Sequence, residues 1–331
     1  MNKRLPILIR GTGSYVPEKV ITNQHFIDYL DTTDEWIVTR TGIRERRWVA
    51  PDECASTMGS EAAKRALVDA GVTIDEIDLI VCGTATGDHP FPASACFVQS
   101  ALGGHDIPSF DVGAACAGFP VACMTAAGFI MTGAYRNALV IGTEVLSKIG
   151  DSQDRGTVVL FGDAAGAAVL SRCDEETDRG ILHHELGTDG DKTDYIFMPA
   201  GGSRMWASHT TVDERGHYIR MRGREVFKFA VIKMTDLIDR ALESLNLKPD
   251  DLKLVIPHQS NLRIIEAFRE RLKLPKEKMA VNIDRYGNTS AASVPVALDE
   301  ARRAGTLHEG DIVLMVAIGA GLTWGCVVIR L

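Results

Sequence analysis

Seven cysteines (54, 82, 96, 116, 123, 173 and 326) occur without a CxxC pair and without close, even spacing, which argues against a zinc site or a disulfide framework and for thiols kept reduced. A basic surplus is also missing. The chain has 36 Lys and Arg against 44 Asp and Glu, a net charge of −8, the wrong sign for a nucleic-acid binder, whose surface carries a basic stripe. No run approaches the roughly 18 apolar residues of a membrane span. The N-terminal MNKRLPILIR is broken by Arg10 and shows no small-residue cleavage site. These absences predict a cytoplasmic globular protein acting on a small molecule or another protein, with no nucleic acid and no membrane. Its 331 residues suffice for one large core or two medium ones.

The chain does contain an internal repeat. KRALVDAGVTIDEIDLIV (Lys64 to Val81) and DRALESLNLKPDDLKLVI (Asp239 to Ile256) align without a gap at a shift of 175 residues, sharing Arg65/Arg240, Ala66/Ala241, Leu67/Leu242, Asp75/Asp250 and Leu79/Leu254. Each reads as a helix, a turn and a buried strand. A second echo, GDAAGAAVL (Gly162 to Leu170) against GLTWGCVVI (Gly321 to Ile329), closes both halves. The spacing predicts two similar halves, 1–174 and 175–331, meeting in the charged stretch SRCDEETDRG. Helical patterns alternate with short β-branched runs such as LIVC, ALVIG, LVIP and IVLMVAIG. That alternation predicts an α/β protein with largely parallel sheets covered by helices, whose ligand site draws strand ends from both halves.

Within that frame Cys116 follows the strand-like IPSFDV and opens the apolar helical run CAGFPVACMTAAGFIMTGA. A helix start favours thiolate over thiol, so Cys116 is the candidate nucleophile and is assigned to the N-terminal half. The other six cysteines read as small buried hydrophobes. Of nine histidines, His258 alone ends a buried strand (KLVIPHQSN), at the place equivalent to Gly83; the others read as solvated. Asn288 in RYGNTSAASVP precedes a small-residue helical run much as Cys116 does. Taken singly it reads as a helix cap. An amide is no general base, so Cys, His and Asn together suit an acyl thioester chemistry with an oxyanion to stabilise. Decarboxylative carbon–carbon bond formation is such a chemistry, because loss of carbon dioxide from a malonyl group generates the carbanion without a base.

The segments DVGAACAGF, VIPHQSNLRI, RYGNTSAASVP, GAGLTWG, TDEWIVTRTGIRERR and DRGTVVLFGDAAGAAVL together resemble the β-ketoacyl-acyl-carrier-protein synthase III family of the thiolase superfamily, over essentially the whole chain. The resemblance implies a thiolase-like, duplicated five-layer αβαβα fold with two pseudo-twofold-related halves, and a homodimer. It implies condensation of an acyl-CoA primer with malonyl-acyl-carrier-protein at the start of fatty acid synthesis, with Cys116, His258 and Asn288 as the catalytic set. No permanently bound cofactor or metal is implied; coenzyme A enters as a thioester substrate. The resemblance further implies that Trp36 and Arg155 sandwich the coenzyme's adenine, with Thr32, Arg40 and Arg263 at its nucleotide and phosphate end. Phe91 would reach across the dimer to the partner's acyl pocket. Because acyl carrier proteins are acidic, Lys228, Arg263, Arg269, Arg271 and Lys273 form the candidate docking patch, offset in part by Glu266 and Glu270.

Two departures from the family pattern bear on the primer: Ala320 stands where a third glycine is expected, and the tract Asp189 to His217 is longer than expected. An enzyme of polyketide, quinolone or other secondary metabolism would use the same chemistry. A papain-like cysteine hydrolase shares the Cys, His, Asn order but not the Cys-Gly-Ser-Cys-Trp pattern or paired cysteines. A dinucleotide-binding reading of GTGSYVP fails because Val16 stands where the last Gly or Ala belongs and Pro17 follows.

Overall fold

The computed structural model describes residues 4–174 and 176–331. The apolar runs form two sheets. In the first, β1 (Ile7–Tyr15), β2 (Leu79–Gly83), β3 (Ser109–Val112), β4 (Asn137–Val145) and β5 (Asp163–Arg172) lie in the order β1-β5-β4-β2-β3. In the second, β6 (Gly180–Thr188), β7 (Leu254–Pro257), β8 (Ile312–Gly319) and β9 (Thr323–Arg330) lie in the order β7-β8-β9-β6. Strands β2 and β4 are buried along their whole length, which is why apolar and small residues dominate them instead of alternating with polar ones.

The expectation of largely parallel sheets is corrected. Strand β2 runs parallel to both neighbours and β7 parallel to β8, but the other pairings are antiparallel. Only residues 320–322 separate β8 from β9, too few for the crossover that a parallel pair needs.

Helices α1 (Ala55–Ala70) and α2 (Ser94–Ala101) cover the outside of the first sheet, and α4 (Gly223–Leu245) and α5 (Leu262–Arg271) the outside of the second. Between the sheets lie α3 (Gly118–Met131), which touches both, and α6 (Ser293–Arg303). The result is the five-layer αβαβα arrangement. The sequence of α3, GFPVACMTAAGFIM, has no charged residue, as suits a helix with sheets on two sides.

The 175-residue shift extends beyond the stretch that displays it in sequence. It carries the 3₁₀ turn Ile74–Glu76 onto Pro249–Asp251, the start of β2 onto that of β7, and the 3₁₀ turn Ala115–Ala117 onto Ser290–Ala292. It also carries the first residue of α3 onto that of α6 and the start of β4 onto that of β8. Ala115 (φ 43°) and Ser290 (φ 48°) even share a left-handed backbone. The repeat is incomplete at the sheet edge: where β3 pairs with β2, the second half has a single parallel bridge, Val255 to Met279.

Some residues depart from their sequence reading. His183 is buried, with Nδ1 2.8 Å from the Ser244 hydroxyl, and loss of water pushes its pKa down. Cys96 is exposed and Cys54 and Cys173 are half-buried, so only Cys82, Cys123 and Cys326 fit the buried reading. Among the described residues no helix is long and apolar enough to cross a membrane, and no cluster of His, Cys, Asp and Glu is arranged to hold a metal.

Candidate active site

Cys116, His258 and Asn288 arrive from three separate segments and line one cavity of about 610 Å³. Cys116 lies in the 3₁₀ turn Ala115–Ala117, immediately ahead of α3. It is partly open to the cavity. The expected thiolate is not the resting form, because burial pushes the thiol up to about 12. The Ser290 hydroxyl opposes that rise, Glu144 adds to it, and the cysteine's own amide opposes it. Removing a charge from water outweighs what a few backbone amides return.

His258 directly follows β7, and its amide donates to Val316 O at 2.8 Å. The ring is buried, and loss of water pushes its pKa down to about 3, so it is neutral at pH 7. The Ser293 hydroxyl lies 2.8 Å from His258 Nδ1 and 2.8 Å from Ser290 O, and its single proton sets the tautomer. Donating to Ser290 O, it accepts Nδ1–H and leaves Nε2 bare. Donating to Nδ1, it leaves Nε2–H as a donor.

Asn288 is held by backbone on both sides: its N–H donates to Leu160 O at 2.8 Å and its carbonyl accepts from Gly162 N at 3.0 Å. Gly287 makes this possible, since its φ is 65° and a Cβ there would meet Leu160 O at 2.7 Å. Asn288 Oδ1 accepts the Ser290 N–H at 2.9 Å. With the oxygen committed, Nδ2 is left as the donor for the cavity. The segment that grips Asn288 rests in turn on Arg46, which is fully buried and has no carboxylate hydrogen-bonded to it among the described residues. Arg46 donates to Val159 O at 2.6 Å, Ile21 O at 3.2 Å and Asn23 Oδ1 at 2.8 Å, and stacks 4.6 Å from the Phe26 ring.

The cavity mouth carries most of the residues that the resemblance links to coenzyme A. Trp36, Arg40 and Arg263 line it. Trp36 sits in the helix Asp34–Thr41, whose first turn Thr33 caps by accepting the Trp36 N–H at 3.0 Å. Arg155 is not in the wall but stacks directly on Trp36, with its guanidinium carbon 4.6 Å from the ring centre, and donates to Asp31 O. Thr32 Oγ1 is buried and has no hydrogen-bond partner among the described residues. Ile196, Phe197 and Met198 also line the cavity, so the long tract 189–217 contributes to the wall itself, as does Ala320. Phe91 is 84% exposed and lies away from this cavity.

The candidate docking cations do not behave alike. Lys228, Arg263, Arg271 and Lys273 are exposed, and the Arg263 guanidinium lies 5.6 Å from the ring of Phe227, a cavity residue. Arg269 has to be taken out of the patch. Its side chain is 13% exposed, paired with Glu266 at 2.7 Å and Glu270 at 3.5 Å, and donates to Leu274 O. It closes the end of its own helix.

Sequence reasoning missed Ser290, which lines the cavity together with Cys116, Ser293, which meets His258, the buried Glu144 behind Ser290, and Arg224 in the cavity wall. A signal existed for two of them: the 175-residue shift, continued past Ile256, places Ser290 on Ala115 and Ser293 on Gly118, beside the cysteine.

Comparison with known proteins agrees with the geometry. Two family models match: 3-oxoacyl-[acyl-carrier-protein (ACP)] synthase III over residues 110–190, and its C-terminal counterpart over residues 242–331. The chain is 52% identical over 330 residues to a β-ketoacyl-[acyl-carrier-protein] synthase III of Caldanaerobacter subterraneus, covering 100% of this chain and 99% of the relative. It is 51% identical to that of Symbiobacterium thermophilum, covering 98% of each. The crystal structure of the 3-oxoacyl-[acyl-carrier-protein] synthase III from Aquifex aeolicus superposes with a TM-score of 0.90 at 45% identity, covering 98% of this chain and 100% of that one.

Proposed function

Since the chain belongs to the β-ketoacyl-acyl-carrier-protein synthase III family, the acyltransferases that condense an acyl primer with malonyl-acyl-carrier-protein to initiate fatty acid synthesis, we propose that it does so through an acyl thioester on Cys116. Coenzyme A enters as the primer's thioester and leaves as product, a substrate and not a resident group. In the first half-reaction the Cys116 sulfur attacks the primer carbonyl and coenzyme A departs. In the second, the malonyl group loses carbon dioxide; His258 Nε2–H and Asn288 Nδ2 donate to the enolate oxygen, and the carbanion attacks the acyl thioester. That step uses the tautomer in which Ser293 donates to Nδ1. The observation that carries the reading is the commitment of Asn288 Oδ1 to the Ser290 amide, which leaves an NH₂ beside a neutral imidazole and a thiol in one cavity.

Trp36 and Arg155 are the proposed adenine clamp. A purine between them needs the two faces roughly 7 Å apart, two van der Waals contacts, against 4.6 Å in the direct stack, so binding opens the stack. Arg40 and Arg263 then meet phosphates, and the unpartnered Thr32 hydroxyl gains an acceptor or donor. Lys228, Arg263, Arg271 and Lys273 form the proposed face for the acidic carrier, with Arg269 excluded. The exposed Phe91 fits a place in a homodimer interface, the chain divides functionally at 174/175, and the family's fatty acid chemistry suits the cytoplasm.

Intact-protein mass spectrometry after incubation with acetyl-CoA and longer primers tests the central step. One acyl adduct is expected on the native chain and none on Cys116→Ser. An adduct that persists in that variant, or maps to another cysteine, rules the assignment out.

A further inference from the structure

Taking Cys116 as the acylated residue, the first half-reaction must take a proton from a thiol that burial keeps neutral. Serving as base for that thiol would need the His258 tautomer opposite to the one that the enolate step uses. The structure contains another route. Ser290 lines the same cavity as Cys116, where its hydroxyl favours the thiolate, and that hydroxyl lies 2.9 Å from Glu144 Oε1. Its position is fixed by the left-handed backbone at Ser290 and by the bond from its amide to Asn288.

Glu144, near the end of β4, is fully buried. Thr86 Oγ1 donates to Oε2 at 2.5 Å and Ala85 N at 3.1 Å. Thr86 already accepts the Val145 N–H at 2.8 Å, so its own proton is free for the carboxylate. These donors are neutral. Among the described residues, the titratable groups that feel the Glu144 charge are the thiols of Cys116 and of buried Cys82. A carboxyl out of water with no cation beside it holds a proton more readily than a solvated one.

We propose that Cys116, Ser290 and Glu144 form a proton relay that serves both half-reactions. As the Cys116 sulfur bonds to the primer carbonyl, its S–H proton passes to Ser290 Oγ, and the Ser290 proton passes to Glu144 Oε1. The tetrahedral adduct then expels coenzyme A as its thiolate, which takes a proton from water. After condensation the Cys116 thiolate leaves the new carbon–carbon product, and the two transfers run backwards: Glu144 returns its proton to Ser290, and Ser290 gives one to the sulfur. The relay ends as it began, with one solvent proton consumed per turnover by coenzyme A. In this relay Ser290 is the group that meets the reacting sulfur, and Glu144 acts through it.

The test is the rate of Cys116 acylation by acetyl-CoA, read by rapid-quench mass spectrometry from pH 6 to 9. In the native protein ionisation exchanges no proton with solvent, so the rate is expected to be nearly flat. Glu144→Gln keeps the size and an acceptor for Ser290 but cannot take the proton. Its rate is expected to fall at least tenfold at pH 7 and to climb about tenfold per pH unit, as a lone thiol in equilibrium with solvent does. Ser290→Ala should show the same profile, the double variant should be little worse than either, and Glu144→Asp should restore part of the flat profile. A Glu144 acting only as a nearby negative charge predicts the opposite sign, since removing it eases thiol ionisation and speeds acylation. Native-like or faster acylation in folded Glu144→Gln, or a steep profile produced by His258→Ala and not by Glu144→Gln, overturns the relay. Should Glu144→Gln fail to fold, Ser290→Ala decides by the same profile. Absence of any Cys116 adduct in the native protein is a different failure and refutes the nucleophile assignment.

Discussion

Replacing Asn288 with alanine does two things that can be measured apart. It removes Nδ2 from the cavity, and loss of one preorganised donor to an oxyanion costs about 10²–10³ in rate, or about 2.7–4 kcal/mol. It also strips the Ser290 N–H of its acceptor at 2.9 Å, and a buried amide left unpaired costs about 1–3 kcal/mol of stability. Carbon dioxide release from malonyl-acyl-carrier-protein should therefore drop by at least two orders of magnitude, with a lowered Tm, while acylation by acetyl-CoA persists. Asn288→Asp separates the two effects. Its carboxylate still accepts the Ser290 N–H, so Tm recovers, but it presents an oxygen to the enolate, so decarboxylation stays at or below the alanine level. Radiolabelled carbon dioxide release, adduct mass and thermal melting on the same preparations supply the three readouts. Native-rate decarboxylation by either variant would show that Asn288 does not face the enolate.

His258 is pushed down to about 3 when folded and returns to about 6.5 when unfolded, so its contribution is complete above pH 6.5 and is lost as pH falls toward 3. From pH 7 to 5 the native chain should lose about 2 kcal/mol more than His258→Gln in urea unfolding; parallel pH curves would refute this. Arg46→Leu leaves three buried acceptors unpaired and should cost about 3 kcal/mol or more, lowering decarboxylation as the grip on Asn288 loosens; an unchanged Tm would count against that support role. The double reversal Arg271→Glu with Lys273→Glu should raise KM for malonyl-acyl-carrier-protein and leave acylation by acyl-CoA intact. That gap should narrow with added salt, as screening cuts the field's reach to about 8 Å at physiological ionic strength. Equal effects on both substrates would clear this face of a docking role, whereas Arg269→Glu should lower stability by undoing the helix end.

Much of this architecture was legible because it is periodic. Gapless agreement between Lys64–Val81 and Asp239–Ile256 reports a helix, a turn and a strand whose packing repeats, and the structure extends that register to the turns holding Cys116 and Ser290. Cys116, His258 and Asn288 were legible because each interrupts apolar or small-residue sequence at the end of an element. Strand direction was not, since apolar content reports burial and not polarity; the short link 320–322 was the available clue. Glu144 was hidden because the apolar run ALVIG stops before it, whereas its acid stays inside and is satisfied by Thr86, Ala85 and Ser290. The charge state of Cys116 was misjudged for a related reason: the helix start is local, but the desolvation that opposes it comes from residues distant in sequence. Arg269 looked free because its partners, Glu266 and Glu270, were counted as dilution of the patch and not as its anchors.

The repeat also limits what the site can contain. At a shift of 175 residues Cys116 is matched by Ala291, His258 by Gly83, Asn288 by Gly113, Ser290 by Ala115, Ser293 by Gly118 and Glu144 by Gly319. Each of these six cavity-centre side chains has a glycine or alanine as its mate. Space enforces this at several positions: a Cβ on Gly83 would come within 2.6 Å of the Gly118 backbone, and one on Gly319 within 2.7 Å of the Cys116 amide nitrogen. A Cβ on Gly118 would sit 3.0 Å from that of Ala291. The two copies pack tightly against one another at these three glycines, so a side chain added there must displace backbone or a neighbour in the site, whereas Gly113, the mate of Asn288, has open space around it. A larger residue at one of these crowded mates therefore injures a functional group far away in sequence, although the mate itself performs no chemistry.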